Sequence, residues 1–197
     1  METQISKNQV NQLSATNGLL AGAIVLVLYI VFYIINPLLQ YTNTGVSLLV
    51  PVITIALLVV LGLDIRKKIG GFWSYGEALI SLIIISFAIV AIVTLYNFVI
   101  FKFVNPELPA KISAAVSESM SEKLTNAGLD QSKIDEFTKT FENGEFEAKL
   151  KPTLLNELIA FGGSLFFYVI VALIVAATIK KKAPLSPLSE DEQTSAI

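Results

Sequence analysis

Cysteine and histidine are both absent from the chain. Without cysteine there can be no disulfide, thiolate zinc site, iron–sulfur cluster or cysteine nucleophile. Without histidine the chain lacks the commonest general base and the commonest metal ligand. Ser–His–Asp and Cys–His catalysis are therefore excluded. The sequence predicts no catalytic residue, no metal ligand and no cofactor-binding residue, and we do not expect an enzyme.

Charged residues are also scarce, at 15% of the chain, whereas a soluble domain has about a quarter. The formal net charge of −2 gives no basic field that would hold nucleic acid, so no nucleic-acid partner is expected. Apolar residues make up 54% of the chain and are gathered into four long runs. A run of about 20 apolar residues forms a helix long enough to cross a hydrocarbon core. These features predict an all-α polytopic membrane protein, embedded in the lipid bilayer.

The predicted transmembrane domain covers residues 18–182 and contains four helices. Their approximate bounds, in chain order, are 18–39, 46–63, 75–104 and 154–179. A polar N-terminal segment, residues 1–17, precedes this domain. A polar tail, residues 183–197, follows it and is expected to be disordered, because it contains two prolines and an acidic cluster.

Small residues four positions apart occur in the first and last predicted spans, at Gly18 and Gly22 and at Ala172 and Ala176. Such spacing lets helix backbones approach closely. Packing within one chain is the preferred interpretation, and a homo-oligomer remains an alternative. The pair Gly162–Gly163 is expected to serve the same close packing or to loosen the last helix.

The polar segment 105–152, between the third and fourth spans, is predicted to form a helical hairpin. Gly128 is placed to end its first helix in a left-handed cap, and Asp130 to cap the second. Asn143–Gly144 ends the second helix. The apolar faces of the two helices are expected to consist of Ile112, Val116, Met120, Ile134, Phe137 and Phe141.

Basic residues near the span ends predict the orientation of the chain. Arg66–Lys68 follows the second span and Lys180–Lys182 follows the fourth. With an even number of spans, both groups and Lys7 lie on one side. Because Lys and Arg are enriched in cytoplasmic loops, we predict both termini in the cytoplasm and the hairpin outside. Arg66–Lys68 is interpreted as a topology anchor in preference to a site for anionic lipid.

Few polar side chains in the spans are candidates for a functional role. Glu77 and Ser74 fit a capping box, with a functional carboxylate as the alternative interpretation of Glu77. Asp64 and Glu157 lie at span ends, and no charged residue lies at the centre of a span, which disfavours a proton relay. Asn97 is expected to bond a neighbouring helix in preference to a substrate.

Four features together resemble a bacterial membrane-protein family: the glycine-bearing first span, the basic turn leading into Gly70–Ala78, the Asn105–Pro106 pair, and the lysine-ended fourth span with Gly162–Gly163. The family is the domain of unknown function 4199 family, which occurs mainly in Bacteroidetes, and the resemblance covers roughly residues 17–182. It implies a four-span inner-membrane protein with an extracytoplasmic helical insertion. It implies no activity and defines no functional residues. Its genes often lie near a polyprenyl-phosphate glycosyltransferase gene, which makes that enzyme a candidate partner.

These observations favour a non-enzymatic accessory or assembly subunit that acts through another membrane protein, with the hairpin as the expected contact. The alternative is a small transporter or channel subunit, in which Asn97, Thr94 and the glycine-rich positions line a path. A partner role predicts polar, adaptable outer helices and dry spans. A transporter predicts a water-accessible cavity near the midplane, with polar groups converging on it.

Overall fold

The computed structural model describes residues 6–181 of the 197-residue chain. Its helices in chain order are α1 Lys7–Ile35, α2 Leu39–Thr42, α3 Thr44–Lys68, α4 Tyr75–Val99, a π-helical turn Ile100–Val104, α5 Leu108–Asn126, α6 Gln131–Glu142, α7 Glu145–Leu150 and α8 Leu154–Ile179. Four helices in this range are long and apolar enough to cross a membrane: α1, α3, α4 with its π-helical turn, and α8. The predicted all-α polytopic fold is confirmed. The predicted polar tail lies outside the described residues, as do Lys182 and the first five residues.

The bundle is built around α4, which contacts each of the other three long helices. Its buried side chains recur every three or four residues, so they form one inward face. Lipid is as apolar as leucine, so the association of such helices depends on close packing between them. The core formed in this way includes Leu58, Leu82, Ile85, Ile89, Ala172 and Ala176.

Two glycines seat α1 directly against α4. A Cβ atom built on Gly18 would lie 2.8 Å from the Ala88 Cβ atom and 3.0 Å from the Ile85 Cα atom. A Cβ atom built on Gly22 would overlap the end of the Ile92 side chain. The small-residue spacing of the first span therefore brings two helices of one chain together. This confirms the interpretation as intramolecular packing.

The first helix begins well before the predicted span. It starts at Lys7, and its first turn is closed by a reciprocal capping box between Ser6 and Gln9. Ser14 and Asn17 lie within this helix and are buried. The polar segment predicted for residues 1–17 is therefore not a separate unit, because from Lys7 onward it continues into the first span as one helix.

The ends of α3 and α8 and the start of α4 are tied together at one end of the bundle, here called the basic end. The Arg66 Nη1 atom donates a hydrogen bond of 2.7 Å to the Ile179 carbonyl oxygen. Trp73 and Lys181 exchange two backbone hydrogen bonds of 2.7 and 3.0 Å. The basic residues after the second and fourth spans thus share one end, as the even number of spans predicts.

The segment from α5 to α7, here called the insertion, covers the opposite end of the bundle. Ile112 is fully buried, in a cluster with Phe101 and Leu108. The Ser119 hydroxyl and the Lys123 ammonium both donate hydrogen bonds of 3.2 Å to the Thr42 carbonyl oxygen. The insertion is therefore fixed to the short turn between α1 and α3.

The insertion differs from a simple hairpin in three respects. It contains a third helix, α7, which sequence periodicity did not reveal. Asp130 stands at the N-cap position of α6, but its side chain makes no capping hydrogen bond. Phe137 is 42% exposed, so the buried contact of α6 is made by Ile134. Gly128 and Gly144 do adopt the positive φ angles of 76° and 73° that end α5 and α6.

Candidate ligand-binding cavity

A cavity of about 500 Å³ opens inside the bundle on the side of the insertion. Its walls come from α1, α3, α4 and α8, and α2 and α7 contribute to its rim. The polar side chains that line it are Tyr29, Tyr41, Thr94, Asn97, Lys149, Asn156, Glu157, Ser164 and Tyr168. Its volume lies within the range of about 300–1,000 Å³ that is usual for small-molecule sites.

The cavity lies beside the part of α8 that packs least closely against the other helices. Every buried residue of α8 lies at or beyond Val171, and none between Leu154 and Ile170 is buried. At the basic end α3 and α8 are close, since a Cβ atom on Gly62 would lie 2.7 Å from the Ile179 Cδ1 atom. Toward the insertion the two helices part, and the gap between them becomes the cavity.

Gly162–Gly163 lies in the part of α8 that has no buried residue. A Cβ atom built on either glycine meets nothing within 4 Å. The expectation that this pair packs closely against a neighbouring helix of the same chain is therefore wrong. Gly18, Gly22 and Gly62, in contrast, all lie against a neighbouring helix.

The lining of the cavity changes in character from its floor to its mouth. Val25, Ile89 and Val90 form a buried apolar floor. Thr94, Asn97, Tyr29 and Ser164 follow at an intermediate level, and Lys149, Asn156 and Glu157 stand at the mouth. The distance along α8 from Glu157 to Tyr168 is about 16 Å at 1.5 Å per residue, which is about half of the hydrocarbon thickness.

Asn97 faces this space instead of a neighbouring helix. Its side chain forms no hydrogen bond with residues 6–181, and it lines both the large cavity and a smaller one of about 200 Å³ beside Ser47 and Pro51. Pro51 has no N–H group, so the Ser47 carbonyl oxygen lacks its usual helical donor. The expectation that Asn97 bonds another helix is therefore wrong. Asn97 and Thr94 lie where the alternative path-lining interpretation places them.

Tyr41 extends the polar lining to the turn outside the spans. Burial raises the pKa of its phenol to about 12, so the hydroxyl is neutral and able both to donate and to accept a hydrogen bond at neutral pH. Tyr41, Lys149 and Asn156 come from three segments distant in sequence. No motif in the sequence identifies them, because only the fold brings them to one opening.

The family described as a protein of unknown function, DUF4199, matches residues 16–181. The chain belongs to the DUF4199 family. This confirms the resemblance drawn from the Gly70–Ala78 stretch and the fourth span. No curated protein and no solved structure matches the chain.

In this DUF4199 protein the carboxylate at Glu77 caps a helix, as the capping-box pattern predicts. The Glu77 backbone N–H donates to the Ser74 hydroxyl oxygen at 3.4 Å, and the Ser74 N–H donates to the Glu77 carboxylate at 3.3 Å. The Ser74 hydroxyl also donates to that carboxylate, at 2.7 Å. Glu77 is exposed at the basic end, and Glu157 stands at the other end of the bundle.

The remaining charged candidates of the DUF4199 protein at the basic end have structural partners. Asp64 forms an ion pair of 2.7 Å with Lys68, and Arg66 caps α8. Trp73 is only 1% exposed, and its indole Nε1 atom has no hydrogen-bond partner within residues 6–181. The Trp73 side chain is therefore enclosed at the basic end, where its backbone forms a strand-like bridge with Lys181.

Proposed function

We propose that this DUF4199 protein is a non-enzymatic accessory subunit that assembles with another membrane protein through the insertion-side part of α8, residues 154–170. The observation that carries the proposal is the contrast between two sets of glycines. The space beside Gly18, Gly22 and Gly62 is occupied by another helix of the same chain. In contrast, a Cβ atom built on Gly162 meets nothing within 4 Å. In membranes, small residues at open helix faces are where a further helix is able to approach closely.

The chemistry of the described residues supports a binding role over a catalytic one. Glu77 is committed to a helix cap and Asp64 to an ion pair. Both lie at the basic end, a membrane thickness of about 30 Å away from the end that carries Glu157. Catalysis by two carboxylates requires them to converge on one reacting group, and these three do not. A membrane-bound partner such as a polyprenyl-phosphate glycosyltransferase fits the proposed assembly role.

We further propose that the protein lies in the bacterial inner membrane with its basic end in the cytoplasm. Lys7, Arg66–Lys68 and Lys180 lie together at that end, and the positive-inside rule places such an end in the cytoplasm. The insertion then stands on the extracytoplasmic side, where it is available to a partner with an external domain.

Co-purification from native membranes tests the assembly role. Gly162→Leu adds a large side chain at an open position that lies outside the cavity lining, so the fold is expected to persist while a closely packed partner helix is excluded. Ala56→Leu makes a comparable change on the exposed face of α3 and serves as the control. The proposal predicts loss of a specific co-purified protein with Gly162→Leu alone. Equal recovery of every protein from both variants would contradict it.

A second candidate function, a small transporter or channel subunit, is favoured by the cavity with Asn97 and Thr94 on its wall. Against a complete path stands the tight packing on the side of the basic end, where Leu58, Leu82 and Ala172 are fully buried. Reconstituted protein distinguishes the two, because a transporter produces substrate-dependent flux that Asn97→Leu reduces, and an accessory subunit produces none.

A further inference from the structure

The geometry points to the cavity between α3 and α8 as a binding site for one zwitterionic phospholipid, with the headgroup at the mouth and an acyl chain against the floor. This inference does not rest on the proposed assembly with another protein. It rests on the order in which charged, hydrogen-bonding and apolar side chains follow one another along the membrane normal.

The mouth carries one cation and one anion. Lys149 and Glu157 both line it. Among the side chains that the structure describes, which do not include that of Glu142, the ion pairs are Asp64–Lys68, Glu107–Lys111 and Glu147–Lys151, and neither Lys149 nor Glu157 belongs to one of them. A phosphate group complements the ammonium of Lys149, and a primary ammonium complements the carboxylate of Glu157. A headgroup that carries both charges satisfies both residues, whereas a purely anionic headgroup would be repelled by Glu157.

The intermediate level of the cavity matches the ester region of such a lipid. Asn97 carries an amide whose two N–H donors are unused by residues 6–181, and Thr94 and Ser164 add hydroxyl groups beside it. Ester carbonyl oxygens accept hydrogen bonds and cannot donate them, so this donor-rich wall is complementary to them. An ester carbonyl placed there would give these donors hydrogen-bond partners inside the membrane.

The floor of the cavity is suited to an acyl chain. Val25, Ile89 and Val90 are buried and apolar, and the ring of Phe167 lies on the α8 side. The depth of about 16 Å from Glu157 to Tyr168 spans the headgroup, the ester region and the first part of an acyl chain. Because the cavity lies in a gap between α3 and α8, the rest of the chain is free to continue into the surrounding bilayer.

Native mass spectrometry of the purified full chain measures this site directly, with phosphatidylethanolamine and phosphatidylglycerol of identical acyl chains as probes. We expect one retained phosphatidylethanolamine per protein, bound about tenfold more tightly than phosphatidylglycerol, a difference of about 1.4 kcal/mol. Ser164→Phe, which fills the cavity from an exposed position, is expected to remove the retained lipid. Leu158→Phe is the control, since Leu158 is 59% exposed and lies outside the lining.

Two further variants test the role of each charge at the mouth. Glu157→Gln is expected to abolish the preference for phosphatidylethanolamine, and Lys149→Gln to weaken the binding of both lipids. Equal retention of the two lipids by the unaltered protein, or retention that Ser164→Phe leaves unchanged, would overturn the inference. If Gly162→Leu loses the co-purified protein but still retains the lipid, lipid binding in the cavity does not depend on assembly with another protein.

Discussion

The guanidinium of Arg66 donates a 2.7 Å hydrogen bond to the carbonyl oxygen of Ile179, 113 residues further along the chain. This carbonyl belongs to the last turn of α8, where backbone acceptors have no intrahelical donors and the helix dipole favours a positive charge. Arg66 therefore links the end of the second span to the end of the fourth. Arg66, which the sequence predicts to anchor the topology, therefore also caps the last turn of α8.

Replacing Arg66 with Gln is expected to destabilise the bundle by about 2 kcal/mol, because a charged hydrogen bond to a part-buried carbonyl is lost. Unfolding of the purified protein in mixed detergent micelles measures this change. Lys67→Gln is the control on the same turn, where the side chain is exposed and an effect below about 0.5 kcal/mol is expected. Equal destabilisation by both variants would show that overall charge, and not the contact with Ile179, is responsible.

The close packing between α1 and α4 is predicted to reject a leucine at Gly22. Gly22→Leu would overlap the Ile92 side chain and is expected to cost about 2 kcal/mol or more. Ala23→Leu, one residue away on the exposed face of α1, should have little effect. Thermal stability in detergent distinguishes the two variants. An unchanged melting temperature for Gly22→Leu would contradict the close packing of α1 against α4.

Within the insertion, Ile134 and Phe137 are predicted to respond differently to the same change. Ile134 is 3% exposed and Phe137 is 42% exposed. Ile134→Asp buries a charge and is expected to unfold the insertion locally, at a cost of at least about 2 kcal/mol. Phe137→Asp should be tolerated. Protease digestion of vesicles that display the insertion reports the difference, and equal resistance of both variants would count against the packing of α6.

The orientation is tested by reporter fusions in a bacterial host. Alkaline phosphatase fused at Gly128, in the exposed turn between α5 and α6, should be active, because that enzyme folds only outside the cytoplasm. Green fluorescent protein fused to the C-terminus should fluoresce, because it matures in the cytoplasm. A fluorescent protein that matures at Gly128 would reverse the proposed topology.

Local rules explain why much of the fold could be predicted from the sequence. Hydropathy identifies the four spans, because a helix must satisfy its own backbone groups in lipid. The Ser74–Glu77 cap and the turn at Gly128 depend on residues close together in the chain. The helix α7 was missed because six residues are too few to show a helical period.

The cavity could not be predicted in the same way, because it depends on how loosely the part of α8 before Val171 packs against the bundle. Hydropathy identifies the whole of α8 as a span, and it does not distinguish a lipid-facing surface from a cavity wall. The sequence predicts that Asn97 bonds a neighbouring helix, but its surroundings depend on α1, α3 and α8 together. The burial of Trp73 depends likewise on Lys181, distant in the chain.

Site-specific photocrosslinking in native membranes tests the central claim, that the exposed part of α8 contacts another membrane protein. A photoreactive amino acid is placed at Phe166, which is 68% exposed on α8, and at Leu48, which is 59% exposed on α3, as the matched lipid-facing control. The account predicts a discrete crosslinked protein product from Phe166 and only lipid adducts from Leu48. Lipid adducts alone from both positions would contradict it.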